Sequence, residues 1–430
     1  MTATAVTAGW FGLYPIRTFH EAYSPDKAFV EGRGVRLRDA GGRWYLDARA
    51  SLRTVTLGHD HPGVQAAIRR QLESLPFTPS VLFDRPAPVA LEYAELLADE
   101  LPPGLDHVRF GNTGSQAIDT ALLLSRFLRK LEGTPERTAA LTFWGSFHGS
   151  GAGPCALTGN AWLNDTFDPL APDVHHVPAP GFGAGAEGAN GLREKVEELG
   201  PGRVTAIFVE PVIQSSVNVL GPELVAAINE LCDEHGIHLV ADEISTGLGR
   251  TGALTRSEQV SLAADMLTLS KGMTSGYVPV AALAISPAIY DALYDAPFPG
   301  FPIGSTTDGH PLAMAAGIAV LEAMRDEGVL ENVVARGATL REGFDALAGR
   351  HGCVAGVRGV GLLYQVELAG PAGQPWDREA CERLRLAAEE RGVLIATDES
   401  SFGVFPPLVL TDDDCDEILG VLDACLDELT

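Results

Sequence analysis

The chain has 430 residues, 46% of them hydrophobic and 20% charged, a globular balance that excludes intrinsic disorder and leaves room for two or three domains or for one large core with a smaller lobe. Its formal net charge of −26 argues against a nucleic-acid or anionic-membrane partner, and no apolar run reaches the ~18–20 residues that a membrane span needs. The opening MTATAVTAGWFGLYP has no basic start followed by an apolar run, so no secretory signal is expected, and six scattered cysteines without a CxxC pair fit reduced thiols in a cytoplasmic protein.

Residues 1–23 read as an irregular arm. Residues 32–48 read as a hairpin turning at 39–42, and Pro62 starts an amphipathic helix ending near Leu75. Another helix spans 88–101. From Val108 onward short apolar strands alternate with helices: strand 108–112, a helix from Ser115, strands 139–143 and 204–210, helix 222–235, then strands 237–243 and 265–271. Apolar strands joined by helices imply a parallel sheet covered on both faces, and such sheets bind ligands at the carboxyl ends of their strands. Segment 178–191, rich in glycine and alanine, reads as a flexible surface loop. A small-residue helix over 311–325 leads into a C-terminal lobe of helix 329–349, strands within 357–366, helix 377–391, strand 392–396 and helix 411–429.

Chemistry-bearing residues gather at the strand ends. Gly111-Asn112-Thr113-Gly114-Ser115-Gln116-Ala117 joins a strand to a helix, with glycine for close backbone approach, free N–H groups at the helix start and two hydroxyls. Such a turn is a phosphate cradle or a plain capped loop. Asp242 ends one apolar strand and Glu210 another, where an acid faces a ligand or holds a neighbouring loop. Lysine is rare: among 31 basic residues only Lys27, Lys130, Lys195 and Lys271 are lysines. Lys271 follows a strand and precedes a glycine; burial there disfavours its charged form, and a neutral amine attacks an aldehyde. A lysine, a strand-end acid and a phosphate cup together fit pyridoxal 5′-phosphate (PLP), bound as a Schiff base on Lys271. Lys271 would then carry protons as general acid and base. His59 and His61, and the adjacent His175 and His176, have no carboxylate cluster at ligand spacing, so no metal is expected.

The motifs VRLRDAGGRWYLD, LGHDHP, GNTGSQA, FHG, VEPV, ADEISTGLGRTG, LSKGMTSGYVPVAA and STTDGHPLAMAAG run through nearly the whole chain, with Lys271 29 residues after Asp242. In these the sequence resembles the class III (ω-type) aminotransferases of PLP fold type I. The resemblance implies an α/β fold: a mainly parallel seven-stranded sheet in a large PLP domain (66–312), and a smaller α+β domain built from both chain ends (1–65 and 313–430). It implies that Thr113, Gly114 and Ser115 hold the phosphate and that Phe147, followed by His148, stacks on one face of the pyridine ring. Ile244 packs on the other face, Asp242 pairs with the ring nitrogen, and Glu210 lies toward the substrate. Thr306 reaches the phosphate from a neighbouring subunit, which implies a homodimer with shared sites.

Three departures stand out. A glutamine usual two residues after the motif's first glutamate is Ser245 here, which leaves contact with the cofactor's 3-hydroxyl open. The arginine that many members carry before the C-terminal Pro-Pro, as a grip on the substrate carboxylate, falls at Gly403, and no Lys or Arg occurs over 392–430. Arg53 stands where an aromatic often lines the substrate pocket; it supplies the missing charge, or it only pairs with a neighbour.

The expected activity is transamination between a small-molecule amino donor and an aldehyde or ketone acceptor, within specialised biosynthesis. An isomerase or lyase of the same fold (aminomutase, racemase or phospho-lyase) is the rival reading. A regulator with this fold would need a DNA-binding module, which the acidic chain does not offer.

Overall fold

The computed structural model describes residues 16–17, 24–81, 85–370 and 372–429; the arm expected over 1–23 lies almost wholly outside them. Three short strands open the fold as an antiparallel meander: β1 (Phe29–Arg33), β2 (Arg36–Asp39) and β3 (Trp44–Leu46). The expected turn at 39–42 separates β2 from β3. The extra strand β1 escaped notice because Gly32 interrupts its apolar start Phe29-Val30.

The central sheet follows: β4 (His107–Gly111), β5 (Ala139–Phe143), β6 (Val174–Val177), β7 (Val204–Val209), then a small hairpin β8 (Val212–Ile213) and β9 (Asn218–Val219) outside the sheet, then β10 (His238–Asp242), β11 (Met266–Leu269) and β12 (Ala281–Ile285). Seven strands line up in the order β4-β12-β11-β10-β7-β5-β6, and only β12 runs antiparallel to its neighbours. The expected mainly parallel seven-stranded sheet is therefore present. Two of its strands were unread. Histidines break the apolar run of β6, and β12 is largely alanine, which lacks the β-branched signature.

Side-chain alternation sends the residues of one strand to two cores. Ala206 and Phe208 of β7 pack with Ile118, Leu122 and Leu128 of helix Gly114–Leu131. Ile207 and Val209 pack on the other face with Leu224, Ile228 and Leu231 of helix Pro222–His235. With both faces covered, only the strand ends remain open to a ligand.

The C-terminal lobe holds β13 (Val354–Val360), β14 (Leu363–Leu368), β15 (Ala396–Thr397) and β16 (Ser401–Val404), in the order β13-β14-β16-β15, beside helices Val329–Arg350, Arg378–Glu390 and Asp412–Leu429. The segment expected as a strand over 392–396 bridges Leu46 through Val393 and pairs with β16 from Ala396; β16 was not anticipated. The meander joins this lobe: Leu46 N–H donates to Gly392 O at 2.8 Å, Leu394 N–H returns to Leu46 O at 2.9 Å, and Arg36 spans Asp414 and Glu417. Segment 178–191, expected as a loose loop, is pinned by Asn218 Nδ2 donating to Pro180 O (2.9 Å) and by the Arg358 guanidinium over Phe182. His59 bonds the buried Asp47, and His61 caps helix Pro62–Ser74, so both serve the chain turn.

Helix Pro311–Asp326 packs across helices Pro62–Ser74 and Pro88–Glu100. The close approach depends on Gly317, where a methyl group would strike the ring of the fully buried Tyr93. Gly317→Ala is expected to destabilise the protein by about 1–3 kcal/mol through overpacking. Urea unfolding checks this; a variant as stable as the parent would refute it.

Candidate active site

The turn after β4 is capped by Thr113, whose hydroxyl accepts from Gln116 N at 3.1 Å and starts an 18-residue helix. The first N–H groups of that helix have no partner within it and carry partial positive charge, which suits a phosphate. Gly114 is required by close approach: a Cβ there would lie 2.8 Å from Ile244 Cδ1. Ser115 Oγ accepts from Ser150 N (3.0 Å), tying the turn to the segment that follows Phe147. Behind the turn, Asp308 accepts from Asn112 Nδ2 and Gln116 Nε2, both at 2.9 Å. Thr306 sits exposed on the same loop as Asp308.

Asp242 ends β10, buried, with each oxygen assigned. Oδ2 accepts from His148 Nδ1 at 2.7 Å; Oδ1 accepts from Ile244 N at 3.0 Å and Thr268 Oγ1 at 3.3 Å. Burial works against a charge on His148, but the bond to Asp242 and the fields of Asp242 and Glu210 outweigh it and raise its pKa. His148 Nε2 meets Thr142 Oγ1 at 3.0 Å, so both ring nitrogens are engaged and the imidazole acts through Asp242. Phe147, next in the chain, stays 39% exposed, which leaves its ring free to cover a flat ligand.

Lys271 opens a short 3-10 turn directly after β11, one strand over from Asp242. Its Nζ lies 2.5 Å from Ser245 Oγ and 3.3 Å from Gln214 Oε1. Desolvation, helped by Arg53 and Arg250 and opposed by Asp242 and Glu210, pulls its pKa down to about 8. A substantial neutral fraction near neutral pH is what an imine-forming amine needs. Glu210, at the end of β7, accepts from Phe147 N (3.0 Å) and Gln214 N (3.3 Å). Burial pushes its carboxyl up to about 7, with His148 pulling down and Asp242 pushing up.

Arg53 sits on a turn of four consecutive left-handed residues, Ala50, Ser51, Leu52 and Arg53, with φ of 43, 44, 68 and 66°. Such a run of non-glycine residues costs about 1–2 kcal/mol per residue and persists only where its surroundings over-determine it. Here Ser51 Oγ donates to the buried Asp47, and Arg53 N and Thr54 N close onto Arg49 O and Ala50 O. Two further bonds, Phe405 N to Ala48 O (2.8 Å) and Leu408 N to Thr56 O (2.7 Å), zip the turn to the segment after β16. The Arg53 guanidinium consequently lies 4.1 Å above the Phe405 ring. A Cβ at Gly403 would run into that same ring, its Cζ at 3.0 Å. No longer side chain fits at 403 while Phe405 is there.

Arg53 has no ion pair among the described residues, its Nε is buried without a hydrogen-bond partner, and desolvation lowers its pKa to about 10 against the pull of Glu210. The simple pairing with a neighbour is absent. Arg250, buried beneath, donates to Leu362 O and Pro406 O.

Gln214, Phe405, Thr142, Thr268 and Arg250 were not singled out from the sequence. Phe405 precedes the Pro-Pro and Arg250 lies inside GLGRTG, so each had a positional signal; Gln214 had none. An oriented carboxylate, a desolvated amine, an open helix start and an exposed ring form a donor set that suits PLP. Among the described residues no group of three His, Cys, Asp or Glu could hold a metal, and no helix is long and apolar enough to cross a membrane.

Comparison with known proteins follows this geometry. The family described as Aminotransferase class-III matches residues 20–426. An omega-aminotransferase of Caulobacter vibrioides is 32% identical over 433 residues, covering 95% of this chain and 97% of its own. An acetylornithine aminotransferase of Caldanaerobacter subterraneus is 33% identical, covering 93% and 94%. The solved omega transaminase from Pseudomonas jessenii, in complex with PMP, superposes with a TM-score of 0.93 at 26% identity, covering 98% of this chain and 96% of that one.

The raised Glu210 pKa has a consequence for stability. An unfolded Glu titrates near 4.5, the folded one near 7, so the stability gained from the protonated form fades as pH rises between these values. Glu210→Gln is expected to flatten that decline. Thermal unfolding of the cofactor-free protein across this window checks it; an equally steep decline in the variant would contradict the assignment.

Proposed function

The chain belongs to the class-III aminotransferases, PLP-dependent enzymes of fold type I, and from that premise we propose that it moves an amino group between an amine-terminated donor and an aldehyde or ketone acceptor, at least one substrate carrying a remote acid bound by Arg53. The observation that carries this reading is Arg53 itself: a desolvated guanidinium stacked on Phe405, without an anionic partner, beside a position closed to any larger side chain. The stacking contributes about 0.5–2 kcal/mol. A buried cation left unpaired is costly, and a ligand carboxylate removes that cost. Loss of an arginine at 403 frees the reacting carbon from the requirement of an adjacent carboxylate. Such substrates suit specialised biosynthesis.

When bound, PLP supplies an aldehyde for the amine and a ring that takes up electrons from the substrate carbon. Lys271 would hold it and would serve as the proton carrier at the substrate carbon. Asp242, held by His148 and Thr268, would face the ring nitrogen and favour its protonated form. Thr113, Gly114 and Ser115 would hold the phosphate at the helix start, and Phe147 and Ile244 would flank the ring. Glu210 faces the substrate side. Thr306 of the partner subunit completes the phosphate cup in a homodimer; its exposure in the single chain supports that placing.

Donor alone is expected to change the absorbance of the bound cofactor and release a carbonyl product, and Lys271→Ala is expected to do neither. An enzyme that racemises or rearranges the donor without releasing a carbonyl product would sink the transaminase assignment. Arg53→Ala is expected to raise KM for acid-bearing substrates about 10–100-fold, the worth of a charge-assisted hydrogen bond, and to leave uncharged amines within about threefold. Unchanged KM values for every acidic substrate would refute the role of Arg53.

A further inference from the structure

Gln214 occupies a place for which its own segment gives no structural reason. It lies between the strands of the hairpin β8–β9, and its side chain leaves that hairpin to enter the site. Gln214 Oε1 accepts the Ser245 hydroxyl and stands 3.3 Å from Lys271 Nζ, while Ser245 Oγ stands 2.5 Å from the same Nζ. The orientation of the amide follows from chemistry: a lysine amine facing it as donor requires the carbonyl oxygen, not the NH2. Its backbone N–H meanwhile donates to Glu210 Oε1 at 3.3 Å, so the residue is anchored by the acid at the end of β7.

We propose that Gln214 is a positioning residue for Lys271, forming with Ser245 a two-point acceptor clamp that fixes the free amine at the end of β11. Ser245 reaches the amine with its own hydroxyl. By donating to Gln214 Oε1 it gains a rigid support and becomes the better acceptor for Lys271, since hydrogen bonds in a chain polarise one another. The clamp favours the charged amine. It works with Asp242 and Glu210, and against burial, Arg53 and Arg250, the other groups acting on Lys271. An amine held at two points keeps its direction whenever it is not bound to the cofactor. The proposal rests on the reading of Lys271 as the cofactor's lysine.

The chain's other lysines make the test direct. Full-length protein freed of cofactor is labelled with an amine-acylating reagent across a pH series, and modification of Lys271 is read by mass spectrometry, with Lys27, Lys130 and Lys195 as internal references. Lys271 of the parent is expected to titrate near 8. Gln214→Ala is expected to lower that midpoint by about half a unit to one unit, and Ser245→Ala to lower it too. The double variant should shift less than the sum, because the two residues act as one unit. Gln214→Glu, nearly isosteric, should raise the midpoint, and it serves if the alanine variant does not fold. Unshifted Lys271 titration in the Gln214 variants, or strictly additive shifts, would overturn the clamp. Added PLP should protect Lys271 in the parent. If it does not, the cofactor reading fails; if it does and the Gln214 variants titrate like the parent, the clamp alone fails.

Discussion

One desolvated amine sets the terms for the whole site. Lys271 follows a fully buried strand, and the sheet around it strips water from its side chain. Burial disfavours the charge on the amine, and the carboxylates favour it. Asp242 and Glu210 on one side, and Arg53 and Arg250 on the other, bring it to about 8, where both forms are accessible near neutral pH. Every other feature of the site either maintains that balance or uses it.

The sheet provides the rigidity on which the balance relies. Asp242 and Lys271 stand at the ends of adjacent parallel strands, Glu210 at the end of the next strand over, and the phosphate turn beyond β12. Helices on both faces leave no freedom for these ends to drift. His148 fixes Asp242 from behind through a bond of 2.7 Å, which sets the direction of the carboxylate. A run of four left-handed residues lies apart from these strand ends, in the turn that carries Arg53. That turn is held by Asp47, by its own backbone bonds and by the segment containing Phe405. Gly403, Phe405 and Arg53 form one unit: the first leaves room for the ring of the second, and the ring carries the guanidinium of the third. The guanidinium is thereby held by the N-terminal segment against a ring of the C-terminal one.

Much of this was legible in the residues. The strand ends at Gly111, Glu210, Asp242 and Lys271 follow from apolar runs terminated by polar groups, and the expected sheet is the one found. The alanine-rich β12 and the histidine-bearing β6 were not legible, because their strand character comes from neighbours in the sheet and not from propensity. His148 could be named as part of the site. That it works through Asp242 required knowing which way its ring points.

The sequence by itself determined the chemistry: a rare lysine after an apolar strand, an acid at the tip of another and a capped glycine turn specify the cofactor class, since burial and hydrogen-bonding capacity are properties of residue types in order. Tertiary structure alone decided the partners across the site. Gln214 meets Lys271 from 57 residues away, and Arg53 meets Phe405 across almost the whole chain. Such contacts depend on how separate elements are packed and aimed, and no local pattern of apolar and polar residues encodes that direction.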